Sequence, residues 1–207
     1  MIRPPLFDGA GFSESRDGDL RADLDARASF SEALGVGSDW ATVEQVHGRQ
    51  MVEVSAPGAH GEADSLWTTR RGLPIAVFTA DCFGVVLSSP NAVGVAHAGW
   101  RGAAAGVVGS LRQQMAESGE EPIRASVGPG IGSCCFEVGA EVLAEFPTDG
   151  SRTSWDTRSV DLRAAILRDL EGLDTWVSDQ CTYHEDRWFS HRRVGDRARM
   201  ATVGWVA

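Results

Sequence analysis

Between Pro74 and His97 the chain is apolar almost without interruption, in runs at 75–78, 83–87 and 92–96. Such runs, lacking polar alternation, predict strands buried on both faces, and the Ser88-Ser-Pro-Asn91 turn separates the last two. Elsewhere the period lengthens. Leu20, Leu24, Ala28, Phe30 and Leu34 recur among acids and arginines and predict an amphipathic helix over about 19–34, stopped by Gly35. Val107, Val108, Leu111 and Met115 share a face of a long helix expected after Gly102 and ending near Gly119. Helices are also expected near 139–146 and 160–170. Alternation at Val43, Val46, Val52 and Val54 predicts two short strands with a turn at His47-Gly48. Further strands are expected at 123–127, 175–177 and 200–205, and the polar interval 147–155 reads as a loop. Adjacent strands mixed with helical crossovers predict a mixed α/β domain rather than a regular doubly wound sheet. No repeat or linker divides the 207 residues, so one domain over 1–207 is expected.

Composition narrows the function. A net charge of −10 removes the electrostatic attraction for phosphate backbones and anionic lipid, so nucleic-acid and membrane partners are not expected. All 19 basic residues are arginine, which excludes Schiff-base chemistry and a P-loop lysine. The first residues lack an apolar signal segment and no run reaches a membrane span, so a cytoplasmic location is expected. In that compartment the four cysteines are expected to stay reduced.

Three polar residues interrupt apolar runs or end strands: His47, Cys82 and His97. Cys82 and His97 belong to neighbouring buried strands, and Ala98 and Gly99 leave room beside the second imidazole. Two imidazoles and a thiolate with a fourth position open form a zinc donor set, although each residue alone also reads as a hydrogen-bonded histidine or a packed thiol. Asp81 would face away from Cys82 on extended backbone unless the chain turns there. Its expected tasks are to cap the turn, to accept a proton, or to orient His47 or His97. His60-Gly-Glu62 has no accompanying P-C-x-x-C and carries no deaminase signature. Gly128-Pro-Gly-Ile-Gly132 is not a dinucleotide fingerprint and reads as a tight turn offering N–H groups to an anion. Cys134-Cys135 lacks the C-x-x-C spacing and reads as thiols packed beside Phe136. His60, His184 and His191 are expected outside the metal shell. Arg192, Arg193, Arg197 and Arg199 read first as a solvated face pairing with Glu185 and Asp186, and second as an anion site.

Taken together, Gln45-Val-His-Gly48, Glu62-Ala-Asp-Ser-Leu66, Phe78-Thr-Ala-Asp-Cys82, Val95-Ala-His-Ala-Gly-Trp-Arg-Gly102, Gly128-Pro-Gly-Ile-Gly132 with Cys135-Phe-Glu-Val138, Asp179-Gln-Cys-Thr182 and Phe189-Ser-His-Arg-Arg193 resemble one family. This is the YfiH/YlmD family, also called the laccase-domain or polyphenol oxidase family, whose members are multifunctional purine nucleoside phosphorylases. The resemblance runs from about Thr42 to the C-terminus. Before it, Phe12-Ser-Glu-Ser-Arg-Asp-Gly18 stands where members carry F-S-x-R-x-G-G-V-S. The resemblance implies a single-domain α+β fold with mixed sheets flanked by helices, and zinc on His47, Cys82 and His97. It also implies phosphorolysis of adenosine, inosine, guanosine and methylthioadenosine, and deamination of adenosine. With purine nucleosides and phosphate as partners, Asp81 is assigned to proton transfer and Arg101 or Arg192 to phosphate.

Three other readings predict different behaviour. A copper polyphenol oxidase would use the same two histidines and cysteine with a weak axial Met, but the chain has five histidines and no H-x-H. A hydrolase with Cys82 as nucleophile and His97 as base would act in chelator and be inactivated by alkylation. A non-enzymatic partner protein would turn over neither inosine nor adenosine.

Overall fold

The computed structural model describes residues 1–207. Strand β6 (Ile75–Thr79) alternates its contacts: Ile75 and Val77 join a core cluster with Val86 and Val95, while Ala76 and Phe78 join one with Leu34 and Trp40. That period of two buries both faces of β6, as its uninterrupted apolar sequence requires. The sheet around it runs β1 (Ala10–Phe12), β13 (Met200–Gly204), β6, β2 (Ala41–Glu44), β4 (Gly58–Glu62), with antiparallel pairs at the β1 end and parallel pairs about β2. A second, six-stranded sheet runs β12 (Asp174–Val177), β9 (Arg124–Val127), β7 (Phe83–Ser88), β8 (Val93–Ala98), β5 (Ser65–Thr68), β3 (Met51–Glu53). The sheets pack face to face. At Gly84 on β7 an added Cβ would lie 1.9 Å from Thr202 Oγ1 on β13, so only glycine permits this approach.

Helices cover the outer faces. Helix α1 (Leu24–Leu34) places Phe30 and Leu34 on the five-stranded sheet. Helices α3 (Val107–Glu117), α4 (Ala140–Glu145) and α5 (Leu162–Asp169) supply Val108, Leu111, Met115, Val142 and Ile166 to the largest cluster, which covers the six-stranded sheet. Two short helices, α2 (Trp100–Ala104) and α6 (His191–Val194), sit at the sheet ends that carry the site. The result is the expected mixed fold.

Several local expectations are corrected. Helix α1 begins at Leu24 because the Asp23 carboxylate caps Asp25 N and Ala26 N, although Leu20 is fully buried ahead of it. The long helix after Gly102 is broken into α2 and α3 at Gly106, whose φ of 75° lies in the left-handed region. Strands β2 and β3 flank His47-Gly48 as expected but lie in different sheets. The interval 147–155 holds β10 (Gly150–Arg152), paired antiparallel with β11 (Arg158–Val160), so the region read as a loop is half of a hairpin. Strands β1, β4 and β5, too short or too polar to stand out by periodicity, were not anticipated.

Candidate functional site

Three chain segments converge where β2, β6 and β8 end. His47 follows β2 in a loop at φ 61°; Asp81, at φ 85°, turns the chain from β6 into β7; and His97 is the penultimate residue of β8. The register Phe83↔Ala98 places Cys82 beside Gly99. Ligand atoms of His47, Cys82 and His97 all lie within 4.8 Å of one another, and the two imidazoles meet edge to face at 4.8 Å between centroids. A Cβ on Gly99 would stand 3.0 Å from Cys82 Sγ and 3.1 Å from His47 Cδ2, so glycine keeps open the space the three donors face. The donor chemistry and this cradle fit a metal ion such as zinc.

Asp64, wholly buried between β4 and β5, organises the set. Its Oδ1 accepts from His97 Nδ1 at 2.8 Å and His47 N at 2.9 Å, and its Oδ2 from Gly48 N at 2.6 Å and Val46 N at 3.2 Å. One carboxylate thereby shapes the His47 loop and fixes the His97 tautomer, leaving Nε2 free for a ligand. The task of orienting a histidine, expected of Asp81, falls to Asp64. Burial pushes the Asp64 carboxyl up, and the bonds from His97 and Gly48 N more than offset it, leaving it below the ordinary carboxylate range. Burial also opposes charge on the Cys82 thiol and the His97 imidazole. Their neighbours prevail: the two histidines lower Cys82 to about 6, and Asp64 and the Cys82 sulfur raise His97 to about 9.

A cavity of about 360 Å³ opens over these residues, lined also by Gln45, Phe78, Asp81, Trp100, Phe136 and four arginines. Of these arginines, Arg21 and Arg101 make no side-chain hydrogen bond or ion pair with the protein, and the Arg101 guanidinium lies over the Trp100 ring at 4.2 Å. Arg192 donates to Glu137 O at 2.7 Å and lies over Phe136, while Arg199 donates to Asp196 O and Ala198 O. In a protein of net charge −10, four arginines at one cavity are a local concentration of positive charge. The basic cluster of the C-terminal region is therefore divided. Arg193 meets Asp186 at 3.4 Å but is largely buried and donates to the carbonyls of Glu185 and Trp188, which corrects the expectation of a solvated face there, whereas Arg192 and Arg199 turn to the cavity. The Asp81 carboxylate also lines it. Asp81 Oδ1 accepts from Thr182 and Ser190 hydroxyls and Oδ2 from Arg192 N, each at 2.7 Å. Three amides of the Gly128–Gly132 turn are not available to an anion: Gly128 N, Ile131 N and Gly132 N are taken by Gly84 O, Asp81 O and Cys181 Sγ.

The remaining histidines and cysteines separate clearly. His60 lies on β4 and contacts Ala56 O, and His191 lines the cavity rim. His184 joins Cys134, Cys135 and Cys181 in a second group that could hold a metal ion. The sequence reading of Cys134-Cys135 as packed thiols and of His184 as no ligand is corrected to this extent; the group was not visible because its third and fourth donors follow the first pair by almost fifty residues. The Cys181-x-x-His184 spacing was the available signal. Arg21, in an irregular segment before α1, and the role of Asp64 were also missed.

The fold and the clustered donors define a laccase-like domain. Residues 5–207 match the family described as multi-copper polyphenol oxidoreductase laccase, and the chain belongs to that family. The match includes the residues ahead of Thr42, where the chain departs from the F-S-x-R-x-G-G-V-S motif. A purine nucleoside phosphorylase of Deinococcus radiodurans is 37% identical, over 92% of this chain and 79% of its own. One from Streptomyces griseus is 40% identical over 79% of this chain and 73% of its own. Among solved structures, YlmD from Geobacillus stearothermophilus superposes with a TM-score of 0.82 at 27% identity, covering 100% of this chain and 98% of that one. YfiH from Bacillus licheniformis gives 0.80 at 27% identity, over 90% and 82%.

Proposed function

We propose that this protein is a zinc-dependent purine nucleoside phosphorylase that also deaminates adenosine. The observation that carries the reading is one cavity in which a two-histidine, one-cysteine donor set adjoins arginines with no protein partner. Relatives named purine nucleoside phosphorylase support the phosphorolytic half. Adenosine, inosine, guanosine and methylthioadenosine are the proposed substrates, in a reducing cytoplasm.

His47, Cys82 and His97 would hold zinc, which supplies a Lewis acid beside the purine when bound. Arg21 and Arg101 offer unpaired N–H groups to a phosphate dianion, and Arg192 adds charge to the same cavity. Phe78, Trp100 and Phe136 provide apolar surfaces for the base. In phosphorolysis a phosphate oxygen bonds to the anomeric carbon as the glycosidic C–N bond breaks, and the base leaves with the electron pair and takes up a proton. In deamination water adds to the amino-bearing ring carbon and ammonia leaves. Asp81 Oδ2 accepts a single hydrogen bond in the protein where Oδ1 accepts two, so Oδ2 has a lone pair to receive a proton.

The order Asp64–His97–Cys82 also resembles a carboxylate–imidazole–thiol relay, which favours the hydrolase as the second reading. The copper reading lacks the axial methionine it called for, because no methionine lines the cavity. Chromatography of adenosine products decides between the first two. The zinc reading predicts inosine without added phosphate, abolished by chelator and restored by zinc; turnover that survives chelator and ends on alkylation of Cys82 would favour the hydrolase.

A further inference from the structure

The second donor group is built differently from the first. Cys134 and Cys135 lie in a helical turn between β9 and α4, where Cys135 N and Phe136 N both donate to Gly132 O. Cys181 and His184 lie in the segment between β12 and α6. Because β9 and β12 are parallel neighbours, both segments leave the sheet at the same end, and Thr182 N donates to Gly130 O across the gap.

All four donor atoms lie within 4.8 Å of one another, and four of the six distances between them are close to the edges of a tetrahedron. Cys134 Sγ is 3.4 Å from Cys135 Sγ, 3.8 Å from Cys181 Sγ and 3.7 Å from His184 Nε2, and Cys135 Sγ is 3.0 Å from His184 Nε2. Tetrahedral zinc with ordinary bond lengths requires edges of about 3.8 Å between sulfurs and about 3.6 Å between sulfur and nitrogen, so these four fit to within about 0.6 Å. Gly132 N donates to Cys181 Sγ at 3.2 Å, a bond suited to a ligating thiolate, and a Cβ on Gly132 would stand 3.2 Å from Cys134 Sγ. The cluster borders a solvent-open cavity of about 360 Å³, an entry path for an ion, and the same cavity is lined by Arg163, whose buried Nε has no partner.

We propose that Cys134, Cys135, Cys181 and His184 form a closed zinc site that staples the 128–136 turn to the 178–184 segment. Three thiols lose their protons to solvent as zinc binds, His184 binds neutral, and no position is left for a substrate, which is the arrangement of a structural rather than a catalytic centre. The staple bears on the cavity through Thr182, next to Cys181, whose hydroxyl holds Asp81. The inference does not rest on the nucleoside reading; the count of two zinc ions below adds the one proposed for His47, Cys82 and His97.

Plasma emission analysis of full-length protein purified without chelator should find two zinc ions per chain. One should remain in Cys181→Ser, one in Cys82→Ser and none in the double variant. His184→Ala removes an exposed ligand and serves where Cys181→Ser fails to fold; it should lower zinc occupancy at this site and lower Tm. Cobalt(II) reconstituted into Cys82→Ser should give sulfur-to-cobalt absorption with the intensity of three thiolates. One zinc per chain that vanishes in Cys82→Ser would overturn the proposal, as would two zinc ions retained in Cys181→Ser and His184→Ala, or a Cys134–Cys181 disulfide in the freshly isolated protein.

Discussion

Asp64→Asn tests how far one buried carboxylate organises the cavity. The carboxylate accepts four hydrogen bonds, two on each oxygen. An amide keeps one acceptor oxygen, so in either orientation its NH2 meets two N–H donors. At about 1.5–3 kcal/mol for each hydrogen bond to a charged group, two lost bonds cost ~3–6 kcal/mol, a large share of the ~5–15 kcal/mol that stabilises a typical domain. The metal suffers separately. Ligation needs the Nε2 lone pair of His97, so Nδ1 must carry the proton and donate to residue 64. If the amide instead donates to Nδ1, the proton moves to Nε2 and blocks it. Loss of such a partner typically weakens metal binding about 10–100-fold. Chelator competition measures this loss, and urea unfolding of metal-free protein measures the stability. Wild-type zinc affinity together with a stability change below ~1 kcal/mol would refute the assignment, since neither shared hydrogen bonding nor tautomer control would then be operating.

Arg101→Ala and Arg192→Ala should each raise the KM for phosphate about 10–100-fold, the effect of losing a charge-assisted hydrogen bond, and leave adenosine deamination much less affected; equal losses in both reactions would show that these arginines do not bind phosphate. Gly99→Ala places a methyl 3.0 Å from Cys82 Sγ and should reduce zinc occupancy while the far-ultraviolet dichroism is unchanged. Burial raises the Glu14 carboxyl, but Arg187 at 2.9 Å and the N-terminal amine more than offset it and bring it from 4.5 to about 2. A folded value below the unfolded one stabilises the protein above about pH 4.5, and this contribution is lost as pH falls from there toward 2. Glu14→Gln should therefore flatten the acid limb of a stability profile, and an unchanged limb would remove Glu14 from the acid response.

The central strands were legible because their residues are apolar on both faces, and Phe83 and Val95 need no further signal. The donors at the ends of those strands could be picked out for a related reason: Cys82 and His97 are polar residues at the edges of otherwise apolar runs. Asp64 escaped because its neighbouring strand, Ser-Leu-Trp-Thr, is buried throughout yet half polar, so no periodicity marked the turn before it as interior. Arg21 lies in irregular chain without a motif, and its place at the cavity is set by tertiary packing alone. The break at Gly106 was hidden by the apolar stripe continuing beyond it. The hairpin at β10 and β11 was hidden by turn-forming residues that suit loop and hairpin equally. The second cluster needed the parallel pairing of β9 with β12, a contact across fifty residues that local pattern does not encode.

The most direct test of the phosphorolytic reading is inosine cleavage by zinc-loaded protein with and without inorganic phosphate, with products separated by chromatography. The account predicts hypoxanthine and ribose 1-phosphate in equal amounts, formed only when phosphate is supplied and lost in Cys82→Ala. Hypoxanthine released equally without phosphate, with free ribose as its co-product, would contradict it and make the enzyme a hydrolase.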